Sequence, residues 1–200
     1  MSAKIILTSR FMLDPKIGKE ISVSLPGNEW VSHYIDLDRT ELLQIRAYED
    51  ISSFSAAKDE LREDVERLKK HMVSDVVREL LEFVEAPKPC ASRVPQTDFV
   101  QLRHIDVPPS KSSDYRRWRA NTIFPEVMKS PAVEVFLAYH SIVSGQPGVM
   151  FLAGFSGDPI EYQSVYETER YREIVRQAGS EYISGGVGGL YTRTYARVAC

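Results

Sequence analysis

Two short segments of the chain, LQIRAYED and VQLRHIDV, carry the same arrangement of charged and amide side chains. In both, a glutamine and an arginine alternate with aliphatic residues, which is the two-residue period of a β-strand. An arginine without a partner is costly to bury, so a strand face that carries one needs a carboxylate, water or an anionic ligand opposite it. We interpret the two polar faces as walls of an enclosed cavity, although faces open to solvent would give the same pattern. The residues concerned are Gln44 and Arg46 in the first segment and Gln101 and Arg103 in the second.

Two further predicted strands, one in the middle of the second half and one at the end of the chain, divide in the same way. One set of alternate residues is aliphatic or small, and the other is aromatic or polar. The aromatic and polar sets are Glu134, Phe136 and His140 on the first strand and Tyr191, Arg193 and Tyr195 on the second. We expect both sets to face the cavity as substrate contacts, beside Gln101 and Arg103. Val100 and Leu102 would then pack against helices, and Glu134 would pair with Arg103 from an adjacent strand.

His140 is the candidate catalytic base of this set. An imidazole titrates near neutral pH, so a histidine on a pocket-facing strand can take a proton from a phenol or an enol. Arg103, with Arg46 and Arg193, would stabilise the negative charge that develops on the substrate. A histidine that only bonds to a backbone group or to Glu134 would occupy the same position in the sequence, and this structural role stays open.

The composition argues against several classes of partner. The chain has 200 residues, of which 43% are hydrophobic and 26% charged, and its formal net charge is −3. A sequence without a clustered basic face gives no support for nucleic-acid binding, and no run of about 18 apolar residues is present to cross a membrane. The cysteines, Cys90 and Cys200, cannot form a disulfide framework, and the histidines lack the spacing of a metal site. We therefore expect a cytoplasmic protein without a bound metal.

In the first half of the chain, four short strands and one long helix are predicted. The strands are Lys4–Leu13, Glu20–Leu25, Glu29–Asp36 and Leu42–Tyr48. From Ala56 to Ala86 no glycine or proline occurs, and apolar residues recur every three or four positions, which predicts a single helix. Ser55 is the expected N-cap of this helix, and Pro87 ends it.

The second half follows a short proline-rich linker and has a cleaner pattern. We predict strands at Phe99–Val107, Val133–Val143, Val149–Phe155 and Leu190–Val198, and helices at Ser110–Lys129 and Gln163–Ile183. The resulting order β-α-β-β-α-β is that of a ferredoxin-like unit. The chain therefore divides into a degenerate ferredoxin-like half over residues 1–90, which lacks its first helix, and a second ferredoxin-like half over residues 97–200.

One stretch, Asp114–Phe155, resembles the dimeric α+β barrel superfamily, which includes the antibiotic-biosynthesis monooxygenases and small polyketide cyclases. The similar features are a helix with aromatic core residues, a Phe-Pro-Glu-Val turn at Phe124–Val127, a proline just before the following strand, and a hairpin with a Pro-Gly corner. Some relatives carry a histidine at the position of Phe124, so the role of that histidine has no counterpart in this chain.

The resemblance implies an α+β fold in which two ferredoxin-like units place their antiparallel sheets face to face and enclose a substrate cavity. Eight strands are enough to close such a barrel. The two units would be the two halves of this chain or two chains of a homodimer.

These expectations leave three functions open. The first is a cofactor-independent monooxygenase or cyclase that acts on an aromatic, acidic or polyketide-like small molecule in secondary metabolism, as in antibiotic biosynthesis. The second is a heme protein with His140, His104 or His33 as the axial ligand, because some members of the superfamily bind heme. The third is a non-catalytic binding or assembly module that uses the apolar stripe of the helix over residues 56–86.

Overall fold

Eight antiparallel strands close into a barrel within the residues that the structure describes. The computed structural model describes residues 2–18, residue 25 and residues 27–198. The strands are β1 Ile5–Met12, β2 Val31–Asp36, β3 Glu41–Tyr48, β4 Val77–Lys88, β5 Phe99–Ile105, β6 Val135–Val143, β7 Val149–Phe155 and β8 Leu190–Arg197. Around the barrel they follow the order β1-β3-β2-β8-β5-β7-β6-β4, and β4 pairs with β1 to close it.

Helices cover the outer side of the sheets. They are α1 Pro15–Gly18, α2 Ile51–Ala56, α3 Lys58–Leu68, α4 Ser112–Asn121, α5 Ile123–Lys129, α6 Pro159–Ser164 and α7 Glu169–Glu181. Asp50, rather than the expected Ser55, caps the first helix after β3 by accepting a hydrogen bond from the backbone N–H of Ser53. Thr168 caps α7 in the same way through the N–H of Tyr171. Over the described ranges, no helix has the length and apolar character to span a membrane.

The strand order contains the same four-strand arrangement twice. The first half lies in the order β4-β1-β3-β2 and the second in the order β8-β5-β7-β6. Each half is a ferredoxin-like unit, and the two sheets join where β2 pairs with β8 and β4 pairs with β6. The predicted α+β fold with tandem ferredoxin-like halves is confirmed, and one chain closes the barrel. The first half has the single turn α1 at the place of its first helix. The boundary predicted between residues 90 and 97 stays a prediction.

Each strand has one face toward the barrel interior and the other toward the helices. The interior core combines aliphatic side chains of both halves, among them Leu43, Leu102, Leu137 and Leu152. In the second half, the outer faces pack against the helices through a separate core that includes Phe151. Because both sides of the sheets are shielded, strands such as β1, β3, β5 and β7 are buried on both faces.

The orientation predicted for the Gln-x-Arg pairs is therefore wrong. Val100 and Leu102 lie in the interior core, whereas Arg103 reaches α7 on the outer side. Gln44 likewise bonds to a residue of α3. Alternation separates two sets of residues but does not say which set meets the helices, since neither side of these strands faces solvent.

The long helix predicted over residues 56–86 is wrong beyond Leu68. α3 ends at that residue, and the last part of the predicted helix forms β4. The middle of β4 is buried on both sides, since Leu80 packs on the helix side and Leu81 in the barrel interior. A strand buried on both faces loses its polar–apolar alternation, and the apolar residues of this one keep a helical spacing. Leu68 and Met72 pack together in the core, which occupies part of the proposed partner surface.

Two other predicted helices are interrupted. Thr122 divides Ser110–Lys129 into α4 and α5, and the second-half helix predicted at Gln163–Ile183 consists of α6 and α7. The strand predicted at Glu20–Leu25 lies, apart from Leu25, outside the described residues.

Candidate functional site

The second half of the chain has a small closed cavity between its sheet and its helices. β5, β7 and β8 form the floor, α4, α5 and α7 form the roof, and the segment after α7 closes one side. Three aromatic rings line the cavity, those of Tyr115, Phe151 and Tyr171, with aliphatic side chains between them. Its volume is about 30 Å³, room for one or two water molecules. We call this cavity the second-half pocket.

Arg103 is the one charged side chain among the residues that line the second-half pocket. It is 8% exposed. Its Nε donates to Oε1 of Gln101 at 2.7 Å, its Nη1 donates to the hydroxyl of Tyr171 at 2.8 Å, and its Cζ lies 3.7 Å from the centre of the Tyr166 ring. In the described parts of the chain, no carboxylate pairs with Arg103 and its Nη2 has no hydrogen-bond partner. A buried cation is thus held by tyrosines and an amide, with no anion opposite it.

Tyrosines of α6, of α7 and of the turn between them surround the guanidinium of Arg103. The hydroxyl of Tyr162 donates to Oε1 of Gln101 at 3.1 Å and accepts a hydrogen bond from the hydroxyl of Tyr166 at 3.0 Å. Burial raises the pKa of Tyr166 well above its usual value, and it raises the pKa of Tyr162 too. Burial alone would lower the pKa of Arg103, but the neighbouring tyrosines, Tyr171 first among them, raise it. At ordinary pH the arginine is therefore charged and these two hydroxyls are protonated.

A glycine-rich segment closes the second-half pocket at one side. Ile183 precedes the segment and Leu190 follows it, and both line the cavity. Gly185 has a φ of +70° and Gly186 a φ of +64°, left-handed conformations that favour glycine. Val187 in the same segment is 56% exposed. A ligand larger than a few atoms enters only if part of the lining moves, and displacing this segment uncovers little of the core.

A second cavity, of about 190 Å³, lies on the helix side of the first-half sheet. There Nη1 of Arg46 donates to Glu60 at 2.8 Å and Nη2 donates to Asp64 at 2.7 Å. Nε2 of Gln44 donates to the same oxygen of Asp64 at 3.1 Å and lies 3.1 Å from Nε2 of His33. Burial lowers the pKa of His33 to about 4, so this ring is neutral at pH 7. We call this cavity the first-half pocket; its arginine, Arg46, is half-buried and paired with two carboxylates.

No protein-family model matches the chain, and no curated protein matches it in sequence. Solved structures do match. A candidate monooxygenase from Fusobacterium nucleatum aligns over 100% of this chain and 94% of its own, with 15% identity and a TM-score of 0.68. An anthrone oxidase-like protein aligns over 98% of this chain and 91% of its own, with 12% identity and a TM-score of 0.63. A heme-degrading enzyme from Listeria monocytogenes aligns over 96% of this chain and 99% of its own, with 6% identity and a TM-score of 0.55.

This chain has the α+β barrel fold. The resemblance predicted from Asp114–Phe155 is confirmed at the level of the fold, and the alignments extend it to the whole chain. At identities of 15% and below, the likeness shows no more than the fold. The activities in those names are properties of those proteins.

In this α+β barrel, the polar row predicted on β8 points into the barrel and lines neither pocket. The hydroxyl of Tyr195 donates to Oε1 of Glu41 at 2.5 Å, and Arg193 pairs with the other oxygen of that carboxylate. Tyr191 is 38% exposed at the end of the barrel. The role of these three residues as substrate contacts stays a prediction.

A second buried polar group in the barrel interior was missed by the sequence interpretation. Glu79 accepts a hydrogen bond from Nη2 of Arg10 at 3.2 Å, and its other oxygen lies 2.8 Å from Nε2 of His104. Glu79 belongs to β4, the strand interpreted as a helix, so its position opposite β5 was hidden. The contact joins the first half of the barrel to the second.

The three residues predicted on or beside β6 have different surroundings. His140 is exposed near the hairpin end of β6, with Nδ1 3.1 Å from the carbonyl oxygen of the next residue. Glu134 is exposed just before β6, so its predicted ion pair with Arg103 is wrong. Phe136 is buried with its ring centre 5.1 Å from that of Phe151, which lines the second-half pocket. The catalytic role of His140 stays a prediction, and its side chain does not line the pocket.

The sequence interpretation also did not single out the tyrosines around Arg103. A signal was present, because Tyr162, Tyr166 and Tyr171 recur at spacings of four and five residues, which can place them on one side of adjoining helices. The many charged residues between them favoured a solvated helix face instead.

The second-half pocket does not fit heme. A heme iron takes a histidine, cysteine, methionine or tyrosine as its axial ligand. The lining of the pocket contains no histidine, cysteine or methionine. Of its two tyrosines, Tyr171 has its hydroxyl bonded to Arg103, and burial raises the pKa of Tyr115, which disfavours the phenolate that would bind iron. Within the described residues, no group of three or more histidine, cysteine or acidic side chains is arranged to hold a metal ion.

Proposed function

We propose that this α+β barrel protein is an enzyme of the oxygenase type that oxidises an ionised aromatic small molecule in the second-half pocket, without a cofactor. The observation that carries the proposal is Arg103, a buried guanidinium with a free Nη2 and no ion-pair partner among the described residues. An anion that binds beside such a cation compensates its buried charge. The rings of Tyr115, Phe151 and Tyr171 suit a flat, unsaturated ligand body. The names of two structural neighbours, a candidate monooxygenase and an anthrone oxidase-like protein, agree with this chemistry.

The reaction suited to such a pocket is the oxidation of an activated ring methylene by dioxygen. A hydroxylated aromatic compound with a ring CH₂ loses a proton to bulk water before it enters the pocket, and becomes a delocalised phenolate or enolate anion. This electron-rich anion reduces dioxygen directly. Both C–H bonds of the methylene break, one oxygen atom forms the new carbonyl group, and the other leaves as water with the two hydrogens.

The residues of the pocket have separate roles in this reaction. Nη2 of Arg103 binds the anionic oxygen and keeps it ionised, because a cation within a few ångströms lowers the pKa of a phenol. Gln101 and Tyr171 hold the guanidinium in place through its other nitrogens. The closed roof excludes water, which strengthens this interaction. With the substrate kept ionised by the arginine, the lining needs no side-chain base, and this agrees with the exposed position of His140.

The test uses a dihydroxyanthrone as the substrate, with an oxygen electrode and the absorbance of the quinone product as readouts. For the wild-type protein, without added cofactor, we expect oxygen uptake above the uncatalysed rate, with one O₂ consumed for each quinone formed. Arg103→Met should lower turnover about a hundredfold, as the loss of one charge-stabilising donor does, and Arg103→Lys should recover part of it. The control is Arg170→Met, which removes an exposed charge from α7 and should leave turnover unchanged.

Several outcomes would contradict the proposal. Equal turnover by Arg103→Met and wild type would remove Arg103 from the reaction. A product formed by loss of water without oxygen uptake would identify a cyclase rather than an oxygenase. A strong visible absorption band on addition of hemin, abolished in Arg103→Met, would show that the pocket opens for heme and would replace the cofactor-free reaction.

A further inference from the structure

The lining residues of the first-half pocket carry three buried polar atoms without hydrogen-bond partners in the described structure, and one of them is Nε of Arg46. His33 is 7% exposed and Gln44 is 3% exposed, and both line the pocket. Nδ1 of His33 and Oε1 of Gln44 have no partner in the described structure. Buried polar groups in proteins are nearly always bonded, so each exception needs an explanation such as a missing water or ligand.

The protonation of His33 follows from its neighbour. Nε2 of Gln44 donates to Asp64 at 3.1 Å, which identifies this atom as the amide nitrogen. It lies 3.1 Å from Nε2 of His33, and an amide nitrogen can only donate, so this imidazole nitrogen accepts. The ring proton is then on Nδ1. The pKa of His33, which burial lowers to about 4, keeps the ring in this neutral form. The pocket residues therefore carry two free donors, Nδ1–H of His33 and Nε–H of Arg46, and one free acceptor, the Gln44 carbonyl.

The charges around the first-half pocket do not call for an anionic ligand, because the lining has three carboxylates and two arginines. The guanidinium of Arg46 is paired with both Asp64 and Glu60. Of the two other charged residues in the lining, Glu63 and Arg67, one is negative and one is positive, and both are exposed. The space of about 190 Å³ corresponds to roughly six water molecules, which is room for a small ring with a polar substituent.

We propose that the first-half pocket is a second binding site, for a small neutral molecule with a carboxamide-type group. The carbonyl oxygen of that group accepts from Nδ1–H of His33, and its N–H donates to Oε1 of Gln44. The amide of Gln44 keeps one orientation, because its nitrogen donates to both His33 and Asp64. The site is independent of the second-half pocket and prefers a different ligand charge, because its arginine is already neutralised.

The test is an NMR titration of protein labelled at its histidine rings with benzamide, benzoate and benzamidinium. These probes have nearly the same shape and are neutral, anionic and cationic. We expect benzamide to shift the His33 ring signals saturably and to bind at least tenfold more tightly at this site than the other two. Gln44→Met keeps the length of the side chain and removes its amide, so it should weaken benzamide binding at least tenfold. Arg103→Met should leave benzamide binding unchanged, which separates this site from the proposed oxygenase pocket.

The proposal is overturned if benzamide leaves the His33 signals unmoved up to its solubility limit, or if the three probes bind there equally well. The proposal is also overturned if the Gln44→Met variant binds benzamide as tightly as the wild-type protein does. If Gln44→Met does not fold, nuclear Overhauser contacts in the wild-type protein decide the question. Benzamide ring protons should contact the methyl groups of Val31, which lines the pocket, and the absence of these contacts would refute the site.

Discussion

The two halves of the barrel share a topology and each has a pocket on the helix side of its sheet, but the arginine of each pocket has different partners. In the first half, Arg46 bonds to two carboxylates of α3. In the second half, Arg103 bonds to an amide and a tyrosine hydroxyl and lies against a tyrosine ring. Position in the fold is therefore a poor guide to ligand binding. The charge balance around the arginine decides whether its pocket favours an anion.

Another arginine of the second half shows that this difference is local. Nε of Arg119 donates to Glu85 at 2.8 Å, and its Cζ lies 5.4 Å from the ring centre of Phe151. Arg119 is thus near the same aromatic cluster as Arg103 and nevertheless has a carboxylate partner. Of these two buried arginines of the second half, Arg119 is neutralised by a carboxylate and Arg103 is not.

The largest expected difference between the two arginines is the effect of removing each one on the stability of the protein. Arg46→Met leaves Asp64, whose side chain is 8% exposed, without its cation. We expect the free energy of unfolding to fall by about 3 kcal/mol, because breaking a buried ion pair strands the remaining charge. Arg103→Met strands no carboxylate, so its loss should stay below about 1 kcal/mol. Urea denaturation of the two variants measures this difference, and equal losses would show that the two arginines have the same structural role.

The second expected effect, of intermediate size, is a loss of folding stability at acid pH that is due to His33. The folded-state pKa of His33, about 4, lies below the ordinary value of 6.5. Between these values the unfolded chain binds a proton that the folded protein does not, so stability is complete above pH 6.5 and declines as the pH falls toward 4. We expect this histidine to account for a loss of about 2 kcal/mol between about pH 7 and about pH 4.5. Urea denaturation of wild type and His33→Gln at both pH values tests it. Identical pH dependence in the two proteins would contradict the buried, neutral state.

The smallest expected effect comes from removing the Tyr171 hydroxyl, and it tests whether this group positions Arg103 in the second-half pocket. Tyr171→Phe removes the hydroxyl that accepts from Nη1 of Arg103 and keeps the ring. We expect a loss of about 1 kcal/mol in the free energy of unfolding and a severalfold weaker affinity for benzoate, because the guanidinium loses one of its fixed bonds. Tyr182→Phe is the control, since the ring of Tyr182 packs nearby against Tyr115. Isothermal titration with benzoate compares the variants. An unchanged affinity in Tyr171→Phe would mean that its hydroxyl does not position Arg103.

Much of the strand pattern was predictable from the sequence. The bounds predicted for β7 are those observed, and β1, β3 and β5 differ from prediction by one or two residues at an end. These strands have clear alternation or strong turn signals beside them. β4 was not predictable in this way, because Leu80 and Leu81 are buried on opposite sides and the polar–apolar contrast is lost.

The candidate site was only partly predictable. The Gln-x-Arg pattern identified Gln101 and Arg103 as residues that need polar partners, and both have them on the helix side. The sequence interpretation placed their partner at Glu134, which is exposed. The sequence interpretation also placed His140 in the pocket, because His140 and Arg103 both belong to polar rows of residues on their strands. Such a row does not show how much of the strand the helices cover, and His140 lies beyond the covered part.

The sequence by itself determined which residues share a strand face and which of those faces carry charge, because these properties depend on neighbours along the chain. Only the tertiary structure decided which face meets the helices and which arginine finds a carboxylate. Arg46 and Asp64 are 18 positions apart, and Arg103 and Tyr171 are 68 apart. Such contacts form when distant helices pack on the sheet, and a buried charge is costly or stable according to the partners that this packing supplies.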